Sequence, residues 1–286
     1  MSASRGGKRV RVGHSPDPDD AFMFHGIAAG RIDCEGFEIE QVLEDIESLN
    51  RRALRGELEV TAISIHAYAH LADRYALMPC GASMGDGYGP IVVAREPMPA
   101  DPALLVTKTI AVPGVLTSAF LALELYLGSA FEHRVVPFDI ILDHVERGEA
   151  DLGLVIHEGQ LTYGSQGLHR IVDLGEWWAA RTGGLPLPLG GNGVRKDLGA
   201  ETMSALTRVL ARSIAWGLQH RAEALDYALG FGRGLDRSST DRFVGMYVNE
   251  LTLDYGDRGR EAIRRFLAEG IERGLVPRFG EVEFVD

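Results

Sequence analysis

One pattern occurs twice in this chain. Arg55-Gly56-Glu57-Leu58-Glu59-Val60 runs into TAISIH, and 92 residues later Arg147-Gly148-Glu149-Ala150-Asp151-Leu152 runs into GLVIHE. Each copy follows a segment with helical spacing and leads into an apolar strand. The physics is the same in both: a helix ends at glycine, an acidic pair makes the turn, and a buried strand runs inward. Each strand closes on polar residues, Ser64 and His66 in one copy, His157 and Glu158 in the other. A second pair repeats the theme upstream. RVRVGHSPDPDDAF and TIAVPGVLTSAF both read as strand, proline turn and helix start. Two such units predict an α/β protein of two lobes, each with its own sheet. Ligands of open α/β sheets sit beyond the carboxyl ends of the strands. Two such ends facing each other predict an interlobe cleft.

The remaining periodicity fills in this scheme. Strands are expected at 9–13, 37–42, 60–65, 91–94, 109–112 and 152–156, and helices at 19–29, 46–54, 117–127 and 140–147. Residues 200–275 are helical almost throughout. The lobes then read as 1–107 for the first, 108–187 for the second, and 188–286 for a return to the first with a helical C-terminal region. A chain of 286 residues is long enough to build two modest cores. The rigid apolar run LPLPLG at 185–190, followed by more glycine, suits the return crossing.

Charge and composition exclude several function classes. Lys plus Arg is 29 against 41 Asp plus Glu, a formal net charge of −12. That leaves no electrostatic footprint for nucleic acid and disfavours an anionic membrane surface. No apolar run reaches membrane-spanning length, and the first residues lack the apolar core of a secretory signal, so a cytoplasmic location is expected. Cys34 and Cys80 show no metal or redox spacing and are expected to be reduced thiols.

Four segments carry candidate chemistry. In the turn HSPDPDD, two prolines fix the backbone, Asp19 or Asp20 can cap the following helix, and Ser15 with Asp20 can position substrate hydroxyls. Read alone, the same turn is equally a capped turn and nothing more. A metal held by Asp17, Asp19 and Asp20 is a third reading, but the calcium-loop spacing is missing. Thr117 or Ser118 can cap the second-lobe helix, whose first amides suit a carboxylate. His157, at the end of a strand, has the chemistry of a general base or of a structural histidine, and alternation puts it and Glu158 on opposite faces. The run Gly85-Asp86-Gly87-Tyr88-Gly89-Pro90 lacks the spacing of a nucleotide fingerprint and reads as a tight loop beside the cleft. His66 and His70 lack a third zinc ligand, and Trp177-Trp178 reads as packing.

Together SPDPDDAFMF, LEDIESLNRRAL, AISIHAY, AVPGVLTSAF, GLVIHEG with Tyr163, and VDLGEWWAARTGGLPLPLG resemble the MqnD family, the 1,4-dihydroxy-6-naphthoate synthases of menaquinone biosynthesis by the futalosine route. The resemblance covers residues 9–198 and continues more weakly into the tail. It implies a type II periplasmic-binding-protein-like fold and a lyase without a cofactor or metal. The implied reaction is carbon–carbon cleavage of cyclic de-hypoxanthinylfutalosine, giving a small aromatic carboxylate. His157 matches the family's proton acceptor. Ala62, Ile63 and Ser64 match one substrate-contacting stretch, Thr117 and Ser118 the other, and Asp20 the last residue of the family's usual SPCPND motif. This chain departs from that motif at Asp17, Asp19 and Ala21. Two alternatives compete: the sister activity, chorismate dehydratase, and a non-catalytic binder of small acids. The tail allows a homodimer but marks no surface for one.

Overall fold

Both Arg-Gly-Glu turns close in the same way. Gly56 (φ +68°) and Gly148 (φ +75°) take the left-handed conformation that glycine allows. The amides of Glu57 and Glu149 reach back to Arg52 O and His144 O, at 3.2 and 2.9 Å. The two copies are thus the same helix-to-strand joint, built twice.

A computed structural model describes residues 8–285. The first lobe opens with β1 (Lys8–His14), α1 (Pro18–Ala28), β2 (Phe37–Leu43), α2 (Ile46–Leu54), β3 (Val60–Ser64), α3 (Ile65–Tyr68), β4 (Tyr75–Leu77) and β5 (Ser83–Gly85). The second holds β6 (Ile91–Ala94), α4 (Pro102–Leu105), β7 (Ile110–Val112), α5 (Ser118–Leu127), β8 (His133–Val135), α6 (Ile141–Glu146), β9 (Leu152–Val155), α7 (Gly159–Thr162), β10 (His169–Asp173) and α8 (Leu174–Thr182). The chain returns through β11 (Leu187–Arg195) to α9 (Ala200–Gln219), α10 (Arg221–Ala228), α11 (Arg237–Tyr247), α12 (Glu250–Leu253) and α13 (Gly256–Glu272).

The two sheets have the same plan. One runs β2-β1-β3-β11-β4, with β5 also paired to β11; the other runs β8-β7-β9-β6-β10. In each, the first three strands are parallel. The fourth runs antiparallel to the third, and the fifth antiparallel to the fourth. In each sheet the fourth strand is the one that follows a crossing between lobes: β6 after the first, β11 after the second.

That plan corrects the first boundary read from the sequence. β6 pairs with β9 and β10, so the first crossing falls between Gly85 and Ile91 rather than after residue 107. The return crossing precedes Leu187. Periodicity identifies 91–94 as a strand but says nothing about which strand it pairs with, because pairing is a long-range choice.

Apolar clusters hold the layers together. Phe22, Met23 and Phe24 of α1 are buried with Val10, Val60, Val194, Leu210 and Ile214. Because α1 is apolar nearly all round, it is enclosed between β1 and the returning helices. Ile91, Val93, Ala111, Ile141 and Val145 close the far face of the second sheet. A third cluster is continuous across both sheets, running from Ile63 and Leu77 to Val92, Leu154, Trp178 and Phe266.

The first crossing is threaded through a backbone contact that only glycine permits. A Cβ on Gly175 would stand 1.9 Å from Tyr88 O, and one on Gly85 2.0 Å from the same oxygen. Gly175→Ala is therefore expected to lower the unfolding free energy by about 1–3 kcal/mol, the cost of forcing backbone apart in a packed site. Gly164, where an added Cβ meets nothing within 4 Å, is the control, with Gly164→Ala expected within about 0.5 kcal/mol of the parent. Urea midpoints of the two variants check this.

Candidate active site between the lobes

The carboxyl ends of β1, β3 and β9 and the start of α5 enclose a cavity of about 100 Å³. One water needs roughly 10–15 Å³ on this measure, so the space suits a small molecule. Ser15, Asp20, Ala62, Ile63, Ser64, Thr117, Ser118 and His157 all line it. Residues picked from four separate segments therefore meet at one place. What each side chain is doing there differs from the expectation in several cases.

On the first-lobe wall, neither Asp19 nor Asp20 caps α1. The cap position belongs to Asp17, whose side chain makes no capping bond. Asp20 Oδ2 instead accepts the Ser15 amide at 2.7 Å, which stiffens the turn. At the end of β3, Asn50 of α2 grips Ser64 twice. Its Nδ2 donates to Ser64 Oγ at 3.0 Å, and its Oδ1 accepts the Ser64 amide at 2.9 Å. Asn50 is fully buried. The clamp uses Ser64 Oγ as an acceptor, so its own proton is left to donate into the cavity.

On the second-lobe wall, Thr117 is the cap of α5. Its Oγ1 accepts the Phe120 amide at 3.2 Å and donates to Gly114 O at 2.8 Å. Ser118 Oγ donates to Leu189 O at 2.5 Å and accepts the His66 amide at 3.1 Å. Both hydroxyls are thus committed to the fold. The groups left for a ligand are the first-turn amides of Ser118 and Ala119, which precede any intrahelical acceptor. His66 sits in this seam with Nδ1 3.1 Å from Thr117 O. Burial pushes its pKa down to about 4, against the opposing pull of the Thr117 carbonyl. It is therefore held as a neutral imidazole within the seam.

His157 does not continue the strand. β9 ends at Val155, and His157 turns into the left-handed region at φ +53°. Such a conformation costs a non-glycine residue on the order of 1–3 kcal/mol, so the alternation expected for His157 and Glu158 does not apply. The turn places His157 Nδ1 3.3 Å from Asp17 Oδ2 and its ring edge-on to Phe138.

Several lining residues had no local signal in the sequence. Asn192 comes from β11, and Phe243 and Tyr247 come from α11 in the helical tail. Tyr247 donates its hydroxyl to Gln160 Oε1 of α7 at 2.9 Å, joining tail to second lobe. Arg233, between α10 and α11, donates to Glu158 Oε1 at 2.8 Å and to Pro16 O at 3.3 Å. Burial pulls its pKa down, but Asp17 and Glu158 more than offset this and hold it above its ordinary value.

Two buried carboxyls make the cavity less anionic than its sequence suggests. Burial first, then the charge of Asp17, raises Asp19 to about 6, with His157 pulling the other way. Burial, then Asp19 and Asp17, raises Asp20 well above the carboxylate range. Asp19 Oδ2 accepts from Ser83 Oγ at 3.3 Å, while its buried Oδ1 has no hydrogen-bond partner.

A family model described as menaquinone biosynthesis matches residues 10–272. The chain belongs to that family. It is 44% identical to a 1,4-dihydroxy-6-naphthoate synthase of Thermus thermophilus, over 93% of this chain and 96% of that one. A protein of the same name from Streptomyces coelicolor is 37% identical, over 95% and 96%. A crystal structure of a protein from Archaeoglobus fulgidus superposes with a TM-score of 0.88 at 45% identity, over 94% and 98% of the two chains. The alkanesulfonate-binding protein of Xanthomonas axonopodis pv. citri, at 12% identity and a TM-score of 0.70 over 97% and 96%, shares the fold alone. The family member described here thus has the periplasmic-binding-protein fold that the resemblance implies, and its two sheets share one plan. No helix among its described residues is long and apolar enough to cross a membrane.

The raised pKa of Asp19 has a definite sign. The folded protein holds a proton that the unfolded chain releases. This stabilising contribution is complete below pH about 4 and is lost as the pH rises through about 6. Asp19→Asn removes the cost of ionising a buried acid. It is expected to be more stable than the parent by about 1–3 kcal/mol near pH 8 and nearly equal to it near pH 4. Thermal melts of both proteins across that range test it.

Proposed function

We infer that this chain is a carbon–carbon lyase that makes 1,4-dihydroxy-6-naphthoate for menaquinone biosynthesis, with His157 as the base that starts the reaction. Membership of the family and the names of its two relatives carry the activity. The observation that supports the role of His157 is its place: a histidine at the cavity wall, held in a strained turn beside a buried carboxylate. Strain of this kind persists only where the surroundings enforce it, and it concentrates at working sites.

The substrate on this reading is cyclic de-hypoxanthinylfutalosine. Its carboxylate lies at the start of α5, where the amides of Ser118 and Ala119 and the helix dipole favour negative charge. This is how a protein of net charge −12 binds an anion without a basic patch. Ser64 donates its hydroxyl proton, while Ser15 and Asp20 line the wall that meets the sugar-derived portion. His157 removes a proton from the substrate. The electron pair left behind drives collapse of the spiro-linked sugar portion, and the carbon–carbon bond breaks as the second ring becomes aromatic. Enclosure between the lobes keeps water from the reactive intermediate.

His157→Gln is expected to lower turnover by about 10²–10⁴-fold, the usual contribution of a positioned general base. Binding of 1,4-dihydroxy-6-naphthoate should stay within about threefold, because a base acts on the barrier rather than on ground-state affinity. Release of naphthoate is followed by chromatography of single-turnover mixtures. Parent protein that binds the cyclic substrate yet never releases a naphthoate would overturn the lyase reading. Turnover of chorismate in a parallel assay would instead favour the dehydratase.

A further inference from the structure

Asp17 occupies the cap position of α1, where an aspartate ordinarily accepts a backbone amide. Here it makes no such bond, and its side chain is 2% exposed. Both carboxylate oxygens are turned elsewhere. Oδ2 stands 3.3 Å from His157 Nδ1, and Oδ1 stands 2.8 Å from Arg233 Nη1. Neither contact has the alignment of a hydrogen bond, whereas the bond from Arg233 to Glu158 at 2.8 Å does. The Arg233 guanidinium also lies over the Phe138 ring, 4.7 Å from its centroid, and Phe138 in turn meets the His157 ring edge-on at the same distance. Pro16 and Pro18 flank Asp17 and fix the turn that carries it. Asp17 is also one of the positions at which the chain departs from the motif of the family it resembles.

The members of this cluster come from opposite sides of the cleft. Asp17 and Arg233 belong to the first lobe, His157, Glu158 and Phe138 to the second. We propose that Asp17 is a positioning residue for His157: it reaches across the cleft to hold the imidazole with its proton on Nδ1 and its lone pair on Nε2, and Arg233 holds Asp17 in turn. This rests on the reading of His157 as the base. A carboxylate facing Nδ1 selects that tautomer and leaves Nε2 as the ring nitrogen able to take a proton from a ligand. Because the cluster spans the cleft, the orientation of the base depends on residues of both lobes.

The test uses Asp17→Asn and Arg233→Met in the full chain, with His157→Gln for assignment and as the reference. Nitrogen NMR of ring-labelled histidine reads the His157 tautomer directly. The parent is expected to show Nδ1–H, and Asp17→Asn to show a mixture of tautomers. Turnover of Asp17→Asn is expected to fall by about 10²-fold, with KM changing less than about threefold. Arg233→Met is expected to lose about 10-fold in kcat by releasing Asp17, which keeps the idea testable should Asp17→Asn fold poorly. Asp17→Glu, which restores a carboxylate, is expected to recover at least part of the loss. A cluster that is only an interlobe ion pair would shift melting temperature or KM while leaving tautomer and kcat alone, and that outcome overturns the proposal. Asp17→Asn at parental kcat beside an inactive His157→Gln sinks the positioning role but spares the base. Parental kcat in His157→Gln sinks the base itself.

Discussion

The cleft depends on one buried seam, where the first turn of α5 docks on the opposite lobe. Ser118 Oγ bridges the Leu189 carbonyl and the His66 amide, and the His66 ring closes on the Thr117 carbonyl. The bonded groups are polar and buried or half-buried, so each needs its partner. Satisfying them fixes the distance between the ends of β3 and the start of α5. The apolar cluster running from Ile63 to Trp178 and Phe266 then packs behind the seam and makes the spacing rigid. Hydroxyls that look like substrate ligands in the sequence are consumed in setting that geometry. The backbone amides they leave bare are the ones a carboxylate can use.

The opposite rim is electrostatic rather than apolar. Asp17, Arg233, Glu158 and His157 meet there around the buried Asp17 carboxylate, where a charge without a partner is costly. Further in, burial raises the pKa of both Asp19 and Asp20, which lessens that cost. The site therefore contains three acids in different surroundings: Asp17 is ion-paired, Asp19 is raised to about 6, and Asp20 is raised well above the carboxylate range. A single turn carries all three. Their different states follow from which neighbour each carboxyl meets, since chain position and residue type are nearly the same.

Much of the architecture was legible because it rests on local rules applied twice. The Arg-Gly-Glu joints, the two proline turns and the helix at 46–54 follow from glycine conformation, proline geometry and hydrophobic spacing. The eight candidate residues converge because strand ends of a repeated unit face one another. The boundary at 107 failed because β6 is recognisable as a strand but its partners lie 58 to 82 residues away. Asn50 was hidden inside an amphipathic helix as one more polar residue. Arg233, Phe243 and Tyr247 lay in a tail whose only local signal was helicity.

The repeated two-sheet plan, the proline turns and a histidine at the end of the second inner strand are written in the local sequence. Those are consequences of backbone preference and burial within short windows. Only the tertiary structure decided that Ser118 and Thr117 spend their hydroxyls on the fold, that Asp17 faces His157 instead of capping its own helix, and that Arg233 returns from the tail to hold it. Each of these is a choice among hydrogen-bond and ion partners far apart in the chain. Such choices are made by the shape of a packed interior, which no window of sequence contains.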